Sequence, residues 1–287
     1  MTTVELLEST WNPAPSILAG CALLFILHLV VSKGRPLHSV TLFLLGDLTL
    51  LFALISPLDE LGDTYLFSAH MIQHLLLVLL VPPLLIAGLP RTPLRSLLRR
   101  RNFRRLESVL SKPLVAWILG IGTLWIWHLP VLYDLTLANE QIHIFEHLTF
   151  LVTGTIFWWP IFTPLKDYRY DTATAVAYLG LGGLTNTVLG ILLTFAPAGF
   201  YPYYVHPRDP YHALGLIRDG WGLDAADDQQ LGGVLMWVLG GLSFLTALMI
   251  VLRRWLQGPS VQPAGVADMR VAENTGRLNR KGGSESA

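Results

Sequence analysis

The sequence predicts an all-α integral membrane protein, a seven-transmembrane-helix bundle with its N-terminus outside and its C-terminus in the cytoplasm. Three observations carry that prediction. The chain of 287 residues is 52% hydrophobic and only 14% charged, where soluble proteins carry about 25% charged residues. Seven apolar stretches are long enough to span, each needing about 20 residues. Lys and Arg concentrate in alternate loops, the distribution that sets orientation; in the loop 198–229 Arg208 and Arg218 are outweighed by Asp209, Asp219, Asp224, Asp227 and Asp228. Formal net charge is zero, so charge gives no argument for a nucleic-acid partner.

The first span covers about residues 15–32. The segment before it holds Glu5 and Glu8 and no Lys or Arg. It lacks the positive start and small-residue cleavage site of a secretory signal, so no cleaved signal is read. Cys21, inside this span, is the one cysteine. A single thiol supports neither a disulfide framework nor a Cys-built metal site. The second span, about 38–57, carries Asp47 at mid-depth. The third, about 66–89, opens with His70-Met71-Ile72-Gln73-His74 and runs through Pro82-Pro83. The fourth, about 113–130, ends in Trp125-Ile126-Trp127-His128. The fifth, about 141–164, contains His143, Glu146 and His147. The sixth, about 173–197, places Asn186 among glycines, where interhelical hydrogen bonding and close packing are its ordinary use. The seventh, about 230–252, follows Asp227 and Asp228 and contains Met236. Residues 258–287 are polar and rich in Gly, Ser and Pro, and read as a disordered cytoplasmic tail.

Orientation follows from the loops. Lys33 and Arg35 follow the first span, and eight basic residues from Arg91 to Lys112 follow the third. Lys166 and Arg169 follow the fifth, and Arg253 and Arg254 the seventh. The intervening loops carry Asp59, Glu60, Asp63, Asp134, Glu140 and several aspartates of 198–229. The basic loop 91–112 fits both an orientation signal and contact with anionic membrane lipid, worth about 1 kcal/mol per basic residue near the surface.

This topology gathers five of the nine histidines. His70 lies at the outer mouth of the third span, and His74 about 6 Å deeper at 1.5 Å per residue. His128 ends the fourth span on the same side. His143 and His147, again four residues apart on one helical face, start the fifth. A lone interfacial histidine is ordinarily an amphipathic helix end. Two separate His-x-x-x-His pairs and a fifth histidine at one depth point to a site, because ionisable groups inside a membrane are costly and mark function. Neutral imidazole suits copper, zinc, iron and nickel. A His pair could also ligate haem, and histidines could relay protons. Met71 and Met236 are candidate soft ligands for Cu(I). Asp228 could orient a ligand from behind or complement a helix dipole, and Glu146 is a further supporting carboxylate. Asp47 and Asn186 are candidates for a separate intramembrane polar site. No phosphate loop, Ser-His-Asp spacing or zinc-protease signature is present, so the chain reads as a non-enzyme.

The stretch Ala69-His70-Met71-Ile72-Gln73-His74 leading to Pro82-Pro83 and Gly88-Leu89-Pro90 resembles the multi-spanning CtaG family of cytochrome c oxidase assembly factors, associated with caa-type oxidases. Trp127-His128-Leu129-Pro130 with Leu132-Tyr133-Asp134 is similar to that family as well. So are His143 with Glu146-His147 running into Phe157-Trp158-Trp159-Pro160, and Asp228-Gln229-Gln230 with Gly232-Gly233 and Met236-Trp237. The resemblance covers about residues 65–255. It implies a role in maturing a haem-copper oxidase in the cytoplasmic (inner) membrane, with oxidase subunits as partners. Together with the histidines it gives the expectation of an outward-opening copper site built from His70, His74, His128, His143 and His147, fed by a soluble copper donor. Haem bound by His pairs, or a scaffold that binds no metal, are the alternatives.

Overall fold

The computed structural model describes residues 1–32 and 36–258. Lys33, Arg35 and the tail from residue 259 onward, expected to be disordered, lie outside the described residues. Among the described residues every regular element is helical. The chain divides into two compact units, Met1–Val251 and Leu252–Ala287, and the first holds every residue of the site.

A short helix α1 (Thr3–Ser9) precedes α2 (Pro15–Val31) and α3 (Leu37–Ile55). Helix α4 (Pro57–Thr64) leads into α5 (Phe67–Leu75), which continues through Leu76–Leu80 into α6 (Val81–Gly88). The basic stretch forms α7 (Arg91–Arg99) and α8 (Arg101–Leu110). Then come α9 (Pro113–Trp127), α10 (Pro130–Ala138), α11 (Glu140–Phe162), α12 (Thr172–Thr194), the single turn α13 (Pro202–Val205) and α14 (Ala225–Leu256). All seven stretches expected to span are therefore helical. Four of them, α3, Phe67–Gly88, α12 and α14, are long and apolar enough to cross a membrane. Helices α8 and α9, bent by 68° at their junction, make a fifth candidate. Helix α2 is apolar but has 17 residues. Helix α11 has the length, 23 residues, but spends part of its composition on Glu146 and two histidines.

The helix starts follow from local chemistry. Proline leads α2, α4, α9 and α10, where its missing N–H is no loss. Asn139 caps α11 by accepting from Gln141 N at 2.9 Å and Ile142 N at 3.3 Å. Asp171 caps α12, accepting from Thr174 N at 3.0 Å. Asp224 caps α14, accepting from Ala226 N at 2.8 Å and Asp227 N at 2.9 Å.

The segment Phe67–Gly88 explains how the site end and the opposite end of one helix serve different neighbours. Pro82 has no N–H to give to the carbonyl four residues earlier, Val78. The winding widens to a π turn over Leu76–Leu80, the usual response of a helix to such a break. The released Val78 carbonyl accepts from Trp158 Nε1 on α11 at 2.8 Å. In an apolar surround a backbone carbonyl without a partner is costly, so Pro82 and Trp158 act as a matched pair. Trp158 is buried in the main core with Phe157, Phe244 and Tyr178.

Substituting Trp158→Phe keeps an aromatic ring but leaves the Val78 carbonyl unpaired. It is expected to lower stability by about 1–2 kcal/mol, read as an earlier unfolding transition of the purified protein in detergent. An unchanged transition would mean that water or another donor serves that carbonyl.

Candidate metal centre

Helix α5 carries His70 and His74 on one face, and α11 carries His143, Glu146 and His147 on another, through the three- and four-residue spacing of helical neighbours. The two faces meet. His70 Nε2 lies 2.7 Å from His74 Nε2. Glu146 Oε2 lies 4.0 Å from His70 Nε2, and Glu146 Oε1 lies 3.6 Å from His74 Nε2. The rings of His143 and His147 are 4.1 Å apart, and the ring of His70 is 5.3 Å from that of His143. His70, His74, Glu146 and His147 each offer one ligand atom, all within 4.8 Å of one another. A tetrahedral ion with bonds of 2.0–2.1 Å needs donors about 3.3 Å apart. The separations of 2.7, 3.6 and 4.0 Å straddle that value, so small side-chain shifts would close the donors on an ion.

The polar bookkeeping fits such an ion. Both Glu146 oxygens are buried without a hydrogen bond, as are His74 Nδ1 and His147 Nε2. The nearby Thr136 hydroxyl donates instead to the Tyr133 carbonyl at 2.7 Å. A buried carboxylate with no donor is among the costliest arrangements in a protein unless something compensates it. A cation among these imidazoles would supply that compensation. Glu146, expected only to support a ligand from behind, thus stands among the donor atoms themselves.

His128 stands beside this group. Its Nδ1 donates to the Leu124 carbonyl at 2.7 Å. A neutral ring has one N–H, so Nε2 presents a lone pair, and it faces Met71 Sδ at 3.4 Å. Two lone pairs turned toward one another make no hydrogen bond; they form a soft N/S pair. The His128 ring is 5.7 Å from that of His74. Beneath His74 a narrow cavity is lined by Met71, Met236 and Asn186. Asn186 donates to the Met236 carbonyl at 3.1 Å and ties α12 to α14. Asp47 lies on α3 away from the histidines, buried, with Oδ1 unpaired.

Asp228 accepts from Phe67 N at 2.6 Å, Ser68 N at 3.3 Å and Ser68 Oγ at 2.5 Å. These bonds go to the start of α5 and not to an imidazole. Asp228 therefore fixes where the helix bearing His70 begins. Gly232, one turn along α14, takes the ring of Phe67 and the Met71 side chain directly against its backbone. On the other side of α5, a Cβ at Gly62 would lie 3.0 Å from the backbone of His70.

Sequence reading passed over three features here. The first is Asp63 on α4, whose Oδ2 lies 3.0 Å from His143 Nδ1 and Oδ1 3.5 Å from His70 Nδ1. The second is Gln73, between the two α5 histidines, which donates to the Ala53 carbonyl at 2.9 Å and to Asp59 Oδ1 at 2.5 Å. It anchors α5 to α3 and α4. The third is a tyrosine roof, of which the sequence points only to Tyr133, after the fourth span, as a residue capping or lining the outer cavity. The Tyr133 and Tyr204 hydroxyls meet at 3.0 Å, Tyr204 donates to the Gly62 carbonyl at 2.6 Å, and Tyr201 donates to the His128 carbonyl at 2.9 Å. The roof corrects the expectation of an open site. All five imidazoles are buried, and Tyr133 of the roof lies against two of them, its ring centroid 5.2 Å from that of His70 and 6.3 Å from that of His128. Asp63, with 34% of its side chain accessible, is the part of the cluster that solvent reaches.

These features define a class: a helical membrane protein that buries a histidine–carboxylate cluster at one end of its bundle. The chain belongs to the cytochrome c oxidase caa3 assembly factor (Caa3_CtaG) family, whose model matches residues 23–258. It is also similar to uncharacterized proteins of Mycobacterium leprae (25% identical) and Mycobacterium tuberculosis and Mycobacterium bovis (each 26% identical). Each match covers 77% of this chain and 34% of the relative, so the chain spans about a third of the length of these curated relatives. No solved structure matches it.

Burial, and then the charge of Asp63 beside it, push the Asp59 carboxyl up to about 7. The unfolded value is near 3.9, so between these limits the folded state holds a proton that the unfolded state has lost. Stability must then fall as pH rises from about 4 to about 7. Substituting Asp59→Asn in metal-stripped protein is expected to flatten the thermal-melting profile over that window. Parallel profiles for variant and wild type would remove Asp59 as the source.

Proposed function

We propose that this protein binds copper in the His70, His74, Glu146 and His147 cluster and assists its insertion into a haem-copper cytochrome c oxidase. The single observation that carries the reading is the buried, uncompensated Glu146 carboxylate encircled by imidazoles. Membership of an oxidase assembly family supplies the recipient. Imidazole donors favour copper over the other divalent ions of the first row, and the His128–Met71 pair adds a thioether suited to Cu(I). Haem suits the cluster less well: ring centroids 4.1–6.2 Å apart leave no slot for a macrocycle between them. The protein acts as a carrier and not as an enzyme, with His143 and His128 completing the ligand pool. Oxidase subunits are its partners on one side and a soluble copper donor on the other.

The same reading has the chain crossing the cytoplasmic membrane seven times, with the histidine end outward. It is supported by the seven helices and the alternation of basic and acidic loops. A reporter fused behind Trp255 is expected on the cytoplasmic side; periplasmic signal would overturn the orientation.

The direct test is copper retained by purified protein after desalting. Wild type should keep near-stoichiometric copper. His74→Gln should weaken binding at least about tenfold, equivalent to 1.4 kcal/mol or more. A variant lacking all five histidines should keep none. Equal copper in wild type and that variant sinks the metal reading. If oxidase assembly in cells also survives the five substitutions, the protein is a scaffold.

A further inference from the structure

The ring of His70 belongs to two donor groups at once. One is His70, His74, Glu146 and His147; the other is Asp63, His70 and His143. The two ring nitrogens face opposite ways into them. Nε2 faces His74 Nε2 at 2.7 Å and Glu146 Oε2 at 4.0 Å. Nδ1 faces Asp63 Oδ1 at 3.5 Å, and both Nδ1 and that oxygen are buried without a hydrogen bond.

A neutral imidazole has one proton and therefore one donor. With a carboxylate on each side, one of the two must always look at a lone pair. A single cation on the Nε2 side relieves Glu146 and leaves the ring proton on Nδ1, 3.5 Å from Asp63 Oδ1, where neither atom has a hydrogen bond. A second cation between Nδ1, Asp63 and His143 would bring that side into contact as well.

We propose that the cluster holds two metal ions bridged by the imidazole of His70. The inner position uses His70 Nε2, His74, Glu146 and His147. The outer uses His70 Nδ1, Asp63 and His143. The inference rests on the metal-binding reading above and extends it. The two positions differ in access: the Glu146 side chain is fully buried, while Asp63 is one-third accessible. The outer position is thus where an ion arrives, and the inner is where it is sequestered. A bridging ring carries no N–H, so filling the second position releases the remaining ring proton to solvent, as expected when a ligand must be deprotonated to bind.

The test uses the full-length protein in detergent, stripped of metal and titrated with Cu(II) alone. Copper per chain is measured after desalting, and the spin count by electron paramagnetic resonance. Two Cu(II) ions joined through one imidazolate couple magnetically, so the ordinary mononuclear signal should fall well below the copper count. Wild type is expected to take two copper ions with a depressed signal. Asp63→Asn and, independently, His143→Gln should each reduce the content to one and restore a full mononuclear signal. Two variants on different helices guard against misfolding of either, and Asp63→Glu should recover the second ion. Saturation of wild type at one copper overturns this inference and leaves the single-site reading standing. Two ions with a full, uncoupled signal overturn the bridge. A wild type that binds no copper removes both readings together.

Discussion

The constraint on which the rest of this structure depends is a carboxylate with nowhere to go. Glu146 is fully buried and its oxygens accept no hydrogen bond. Removing such a group from water costs several kcal/mol even after relaxation. The surrounding architecture is what keeps that cost specific instead of ruinous. Asp228 pins the start of α5, Gln73 ties its middle to α3 and α4, and Gly62 lets α4 lie against the backbone of His70. Together they hold two imidazoles in front of the carboxylate, and the tyrosine hydroxyls keep water from relaxing the arrangement.

The histidines of the site were legible in the sequence because helical spacing is a one-dimensional signal. His70 with His74, and His143 with His147, each share a face whatever the helices pack against, and loop charge placed both pairs at the same end. Other members were not legible. Asp63 sits in an acidic loop whose charge looks like any orientation signal, and only the folding back of α4 onto α5 brings it to His143. Gln73 looks like a helix-surface amide until α3 is beside it. The roof needed Tyr201 and Tyr204, at α13, to meet Tyr133 of α10, 71 residues before Tyr204, which no local pattern encodes. The role of Asp228 was half legible: an acidic residue at a helix start suggests a favourable dipole, but the helix it caps is α5, 160 residues earlier in the chain.

The membrane-embedded helices show a similar division. Composition and length single out α3, Phe67–Gly88, α12 and α14 with no help from tertiary structure. Helix α11 departs from that rule because its apolar content is diluted by the groups that make the site. The segment Phe67–Gly88 carries two of the histidines and keeps its apolar character, so the loss of hydropathy falls on α11, which adds a carboxylate to its imidazoles.

The π turn over Leu76–Leu80 has a bearing on how this chain tolerates change. A wide turn amounts to one residue more than α winding needs, and one residue corresponds to about 100° of rotation. The faces of α5 and α6 are therefore set by separate phases, with α5 packed on α4 and presenting its histidines to those of α11, and α6 packed on α3 and α11. Loss of a single residue within 76–80 would restore a uniform helix and swing one face relative to the other by that angle, either away from Glu146 or away from Phe43. Length in this short stretch is thus under tighter control than identity: leucine and valine are interchangeable there in a way that five residues and four are not.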